Sequence, residues 1–309
     1  MTSEQNLSSK NPLNACQVFH GAASAAEARV YARLPLAALP AEWRHLQANT
    51  ATRLKLAGKV TGPTCAYAKT LDFSVPVVDR GPGETLLAEA IVPDPCFWTP
   101  DLPFLYRVEI ELKSGNELLA KFQTEFGIRT LGVRARQLLW EGKNWVLRGV
   151  DRNLVSQAPL EEWRDSLVVM LGASAEEEHL AAASRAGVML AVNAVAQPNL
   201  TELLWRCSRS PAVVMAFVDD SIEAIDPRAL PPNLLLANPS FSNGLPNSVD
   251  LFIDGPESKM ARSPDFNRPP MVLRLSSEHA PTLAAARAQC DQLQRDMAGI
   301  VDWSGYLLM

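Results

Sequence analysis

Hydrophobic and polar positions change rhythm once along the chain, near residue 140. Before that point, short segments alternate apolar and polar residues between turns rich in Pro and Gly. "RLKLAGKV" (53–60), "LDFSVPVV" (71–78), "TLLAEAIV" (85–92), "FLYRVEIEL" (104–112) and "LLAKFQTEFGI" (118–128) read as strands. "DRGPGE" (79–84) and "KSGNE" (113–117) read as the turns between them. In 104–112, Leu105, Val108, Ile110 and Leu112 make one largely apolar face, while Arg107, Glu109 and Glu111 face water. Strands of this kind at this spacing predict an antiparallel β-sandwich.

Beyond residue 140 the strand-like runs are apolar throughout: "WVLRGV" (145–150), "VMLAVNAV" (188–195), "AVVMAFV" (212–218), "NLLLA" (233–237), "VDLFID" (249–254), "MVLRL" (271–275) and "YLLM" (306–309). Helical patterns lie among them at 161–172, 176–187, 199–209 and 282–299. The second of these has acids in its first turn and Gly187 just past its end, as the helix dipole and the C-cap favour. Continuously apolar strands are what a parallel sheet covered on both faces requires. A short strand around Ala173–Ala175 brings the number to eight, which predicts a (β/α)8 barrel. The region from 144 to 309 is shorter than the roughly 200 residues at the low end for such barrels. The shortage falls in the loop-like stretches 238–248 and 255–270. Strand faces without an outer helix need another cover, so a protein partner, a homo-oligomer or the sandwich is expected over them. The organisation read from these patterns is a disordered tail (1–14), a sandwich (15–131) and a shortened barrel (132–309).

Composition narrows the classes. With 29 Lys and Arg against 34 Asp and Glu, and no basic run, the chain offers no surface for nucleic acid or anionic membrane. No apolar stretch approaches the ~20 residues of a membrane span, and the polar start lacks the apolar core of a secretory signal. Five widely spaced cysteines without a CxxC pair fit a reducing compartment, so a cytoplasmic location is expected. The sequence carries no phosphate loop, no GxGxxG after a strand, no GxSxG and no HExxH. The histidines have no partner at ligand spacing, and no metal or cofactor is expected.

The candidate chemistry lies where strands end. "PAVVMAFVDDS" (211–221) delivers Asp219 and Asp220 to one end of the sheet. They read either as an acid pair or as part of a helix start, with Asp220 or Ser221 capping "SIEAID" and Glu223 closing the box. Asp151 and Asn153 follow the first barrel strand, and Asp254 follows the sixth in "FIDGP", where it also suits a turn. Glu278 and His279 stand just before Pro281, a place equally suited to the first turn of the last helix. Glu177, Asn193 and Asn238 complete the polar positions at strand ends. His179, in a helical pattern, is read as facing solvent or a neighbour.

Three stretches together resemble glycoside hydrolase family 2, which contains β-galactosidases, β-mannosidases and β-glucuronidases. "PDPCFWTPDLPFLYRVEIEL" (93–112) is similar to the last strands of its immunoglobulin-like domain through Pro95, Trp98, Pro100, Pro103, Leu105 and Tyr106. "EFGIRTL" (125–131) resembles the Phe-Gly-Phe-Arg-Thr segment that ends that domain. "WEGKNWVLRGVDRN" (140–153) resembles the start of the family's barrel through Gly142, Lys143, Leu147, Arg148, Gly149, Val150 and Arg152. The resemblance implies an immunoglobulin-like sandwich followed by a (β/α)8 barrel.

The activity it implies rests on two glutamates, an acid/base after the fourth strand and a nucleophile after the seventh. Retaining glycosidases hold such carboxyl groups about 5–5.5 Å apart across the anomeric carbon. By the resemblance, the acid/base position is Ser221 and the nucleophile position is Leu275. At the second strand the family's Arg becomes Glu177, and at the first its Asn and His become Asp151 and Asn153. The expectation is a frame that has lost catalysis and binds a carbohydrate or a protein partner. The alternative is a glycosidase using relocated carboxylates, Asp219 or Asp220 with Glu278.

Overall fold

The computed structural model describes residues 11–44, 46, 53–155, 158–239, 247–257, 267–276 and 280–309. The chain divides into two compact units, Met1–Cys96 with Phe104–Ile128, and Phe97–Pro103 with Arg129–Met309.

The first unit is built from seven strands: β1 (Gln17–Ala23), β2 (Glu27–Pro35), β3 (Leu54–Thr64), β4 (Phe73–Asp79), β5 (Thr85–Pro93), β6 (Leu105–Ser114) and β7 (Glu117–Phe126). Their order is β1-β2-β5-β4-β3-β6-β7, and every pairing is antiparallel. β4 is shared. Its residues Phe73 to Val77 pair with β3, while Val78 and Asp79 pair with β5. The sheet therefore curls over at β4 into the two halves of a sandwich. The interior is the alternate face of each strand: Ala28, Val30, Ala32 and Leu34 of β2, Leu86, Ala88, Ala90 and Val92 of β5, and Val108, Ile110 and Leu112 of β6 are buried. The opposite face of the β3–β6–β7 half is a charged ladder, with Glu109 taking Lys121 at 3.2 Å and Lys59 at 3.5 Å.

The expected sandwich is present, with two strands, β1 and β2, that the sequence reading did not assign. Part of the expected tail is folded. Leu13 is fully buried in a 3-10 turn (Pro12–Ala15), and Asn11 both caps that turn and donates to Lys121 O of β7 at 2.9 Å. Residues 1–10 lie outside the described residues.

The second unit opens with a small antiparallel sheet, β8 (Leu131–Arg134), β9 (Gln137–Trp140) and β10 (Lys143–Asn144). Eight parallel strands then close a barrel: β11 (Leu147–Asp151), β12 (Val169–Ala173), β13 (Leu190–Asn193), β14 (Val213–Phe217), β15 (Leu235–Asn238), β16 (Leu251–Asp254), β17 (Pro270–Arg274) and β18 (Gly305–Leu308). After a short helix in the first unit, α1 (Ala41–Arg44), the barrel unit carries α2 (Leu160–Ser166), α3 (Glu177–Ala186), α4 (Leu200–Arg209) and α5 (Leu283–Met297). The expected (β/α)8 architecture is present in shortened form.

One predicted helix is shorter than its pattern. The segment 161–172 is helical only to Ser166; Leu167 takes the left-handed C-cap conformation at φ 53, and Val169–Ala173 is β12. Adjacent β-branched residues at 168 and 169 begin a fully buried run, so the stretch is drawn into the sheet rather than extending the helix. In β15 and β16, Leu236, Leu251, Phe252 and Ile253 are almost inaccessible.

Polar side chains tie the N-terminal ends of the barrel strands. The guanidinium of buried Arg129 donates to Pro211 O, just before β14, and to Asn233 O, just before β15. Burial pulls it down to about 9, which still leaves it charged at neutral pH. Asp250, ahead of β16, accepts from Leu236 N of β15 at 2.9 Å. Ser304, ahead of β18, donates to Arg136 O at 2.7 Å. Trp98 is fully buried, and its Nε1 donates to Ser184 O of α3 at 2.8 Å.

Candidate functional site

The C-terminal ends of barrel strands are where enzymes of this architecture keep their chemistry, because the loops that follow can vary without disturbing the core. Most of the polar residues singled out in the sequence stand there. Asp151 ends β11, Asn193 ends β13, Asn238 ends β15 and Asp254 ends β16, with Asp219 and Asp220 just beyond β14.

Their side chains are engaged by the loops they introduce. Asp151 Oδ1 accepts from Asn153 N at 2.7 Å and caps the 3-10 turn Arg152–Leu154. Asn153 itself is exposed and enters this turn through its backbone. Gly172, at φ 67, sits in the bulge of β12 beside Asp151. Asn193 Oδ1 accepts from Val195 N at 3.1 Å, and Asp254 Oδ1 from Gly255 N at 2.7 Å. These are the short side-chain-to-backbone closures for which Asp and Asn are selected in turns. Glu177 lies in the first turn of α3 and is exposed, the usual place for an acid facing a helix N-terminus.

Asp219 accepts from two backbone N–H groups. Its Oδ1 accepts from Ser221 N at 2.9 Å, capping the 3-10 segment Asp220–Ala224, and its Oδ2 accepts from Ala196 N at 2.7 Å. The second bond joins the loop after β13 to the loop after β14. It also holds Ala196 at φ 56, a left-handed conformation that alanine seldom adopts. The Ser221 hydroxyl, and after it the Ala196 N–H, hold the Asp219 carboxyl below its ordinary value. The cap expected from Asp220 or Ser221 is thus supplied by Asp219, one residue earlier. The physical reason is the early 3-10 turn, which begins at Asp220 itself. Asp220 instead takes a bond from Asn238 Nδ2 at 3.0 Å, and Asn238 is fully buried.

At the seventh strand, Leu275 follows β17 and is 79% exposed. Glu278 and His279 lie outside the described residues. His179 is half-buried. Burial first, and the Arg152 charge second, push it down from its ordinary value, and its Nε2 is enclosed without a hydrogen-bond partner. No sequence signal separates that histidine from one facing solvent, because its neighbour Arg152 comes from a different strand end. Among the described residues, no group of three or more His, Cys, Asp or Glu is gathered as a metal site. Among them, too, no helix is long and apolar enough to cross a membrane.

Residues 45–129 match a family described as "Glycosyl hydrolases family 2". The resemblance read from the sequence is to that family. The match ends at residue 129, before the first strand of the barrel. Solved structures extend the likeness as a fold. A glycosyl hydrolase family 2 member from Bacteroides cellulosilyticus DSM 14838 aligns with 96% of this chain and 45% of its own, at TM-score 0.59 and 15% identity. The β-glucuronidase of Bifidobacterium dentium, complexed with coumarin-3-O-glucuronide, aligns with 95% of this chain and 59% of its own, at TM-score 0.58 and 12% identity. The β-glucuronidase of Parabacteroides merdae, with glycerol in its active site, aligns with 95% and 46%, at TM-score 0.56 and 12% identity. The chain thus spans less than two thirds of the length of each of these proteins. A search of the curated proteins found no match.

Proposed function

We propose that this chain uses the family 2 frame without its catalysis, as a cytoplasmic scaffold that binds a glycoside or a protein partner, including a second copy of itself. The observation that carries this reading is the engagement of the acids at the barrel mouth. A general acid must hold a proton near the working pH and release it toward the leaving group. Asp219 is held ionised, with one oxygen given to Ala196 N and the other to Ser221 N. Asp151 and Asp254 each close a turn of their own. The positions that resemble the family's acid/base and nucleophile are Ser221 and Leu275, and a leucine side chain can neither move a proton nor attack an anomeric carbon. The proposed ligand class is borrowed from two neighbours by fold that are β-glucuronidases, one complexed with coumarin-3-O-glucuronide.

A second reading keeps the activity, with Asp220 and Glu278 as relocated carboxylates. One observation favours it: buried Asn238 fixes the orientation of Asp220 as a positioning residue would. Retaining chemistry passes through a covalent glycosyl-enzyme. The intact chain is therefore incubated with activated 2-deoxy-2-fluoro β-glycosides of glucose, galactose, mannose and glucuronic acid, and its mass is measured. An unchanged mass is expected. An adduct on Asp220 or Glu278 would overturn the proposal in favour of the second reading.

A further inference from the structure

The sandwich unit holds a cleft of about 490 Å3 lined by residues of that unit. Its size falls within the ~300–1,000 Å3 of small-ligand sites. It opens where β3 carries one residue more than β6: Thr61 pairs with Arg107 and Thr64 with Leu105, with Gly62 in the bulge at φ 129. Phe73 and Tyr106, ring centroids 6.1 Å apart, lie on the inner face of their strands and belong to the core side. The groups offered to a ligand are those of the outer face.

Register places those groups together. Ser74 of β4 pairs with Thr61 of β3, Thr61 with Arg107 of β6, and Arg107 with Glu125 of β7, so the four share one face. Asp72, two positions before Ser74, lines the same cleft. The neighbouring row on this face is electrically closed, because Glu109 takes Lys59 at 3.5 Å and Lys121 at 3.2 Å. The cleft row is not. Among the described residues, neither the exposed Arg107 guanidinium nor the exposed Asp72 carboxylate has an ion pair or a side-chain hydrogen bond.

A cation and an anion left unmatched in one cleft select a ligand that carries both charges. Their separation sets its length. Asp72 leads into β4 and Arg107 lies on β6, two strands away, about 10 Å across at the ~4.8 Å strand spacing. An amino acid with a short side chain meets only one of them. Lysine and arginine reach both, with the α-carboxylate on the Arg107 fork, the side-chain cation on Asp72 and the long stem laid over Thr61. Glu125, beside Arg107 in the row, then faces the α-ammonium. We propose that this cleft binds a free basic α-amino acid, lysine or arginine. The proposal is independent of what the barrel mouth does.

The test is calorimetric titration of the intact chain with millimolar L-lysine and L-arginine, and with two probes that each lack one charge. Norleucine lacks the side-chain cation, and lysine amide lacks the α-carboxylate. Saturable binding of lysine or arginine is expected, with both probes about ten-fold weaker or more. Arg107→Ala should weaken lysine by a similar factor, and Asp72→Asn should bring lysine down to the level of norleucine. Both side chains are exposed, so neither change touches the core. No saturable binding by folded protein would overturn the proposal. So would norleucine or lysine amide binding as tightly as lysine, or lysine binding that survives Arg107→Ala unchanged.

Discussion

The two ends of the barrel strands use polar side chains in opposite ways. At the N-terminal end they join segments far apart in sequence: Arg129 reaches Pro211 and Asn233, Trp98 reaches Ser184, and Ser304 reaches Arg136. At the C-terminal end Asp151, Asn193 and Asp254 each bond a backbone N–H one or two residues onward. Asp219 also reaches Ala196 in the loop after one neighbouring strand, and Asp220 accepts from Asn238 at the end of the other. The long ties hold the fold; the short ones shape loops. Barrels of this type place stability at the first end and chemistry at the second. Here the second end keeps polar residues in the right places and gives them to the loops.

That contrast predicts graded effects. The largest belongs to Arg129→Met, which leaves two carbonyls at the strand ends without a donor. At ~1–3 kcal/mol per unsatisfied buried group, urea unfolding should show a loss of about 4 kcal/mol. A loss below about 1 kcal/mol would mean that the N-terminal end is not tied in this way. Gly187→Ala should follow, at about 2 kcal/mol, because Gly187 has φ 80 and an added Cβ would stand 2.2 Å from Pro100 O.

At the other end, Asp219→Ala should cost about 1 kcal/mol, the usual worth of a capping side chain. Asp219→Asn keeps an acceptor and should change less at neutral pH. Its effect appears in acid. The folded carboxyl of Asp219 is depressed, so its contribution is complete above the unfolded value of ~3.9 and is lost as pH falls through the lower folded value. Unfolding curves of the wild type should therefore weaken more steeply below about pH 4 than those of Asp219→Asn. Parallel pH profiles would remove the claim that this carboxylate is held by Ser221 and Ala196.

Much of the fold was legible because burial writes itself into apolar runs. Seven of the eight barrel strands, such as Val213–Phe217, were readable to within one or two residues; β12, Val169–Ala173, was read as the end of a helix. β2 was not, although its burial alternates strictly, because two of its four inward residues are alanines that score weakly as core. The sharing of β4 between the two halves of the sandwich was hidden as well, since it depends on partners and not on pattern. At the site, the acid-rich end of β14 was legible, but which aspartate would cap was not. That choice is set by the 3-10 turn that begins at Asp220, and the second bond of the capping aspartate goes to Ala196, twenty-three residues away. The role of Arg129 was invisible for the same reason: its acceptors are backbone carbonyls, which leave no trace in sequence.

The central claim is that the acids after β14 serve the fold and not a reaction. It is tested most directly by assaying the wild type and Asp219→Asn/Asp220→Asn side by side for hydrolysis of aryl β-galactoside, glucoside, mannoside and glucuronide, with unfolding curves on the same preparations. The prediction is no turnover by either protein and a lower stability for the double variant. Turnover by the wild type that vanishes in a stably folded double variant would contradict it, and would make these aspartates the working acids of a glycosidase.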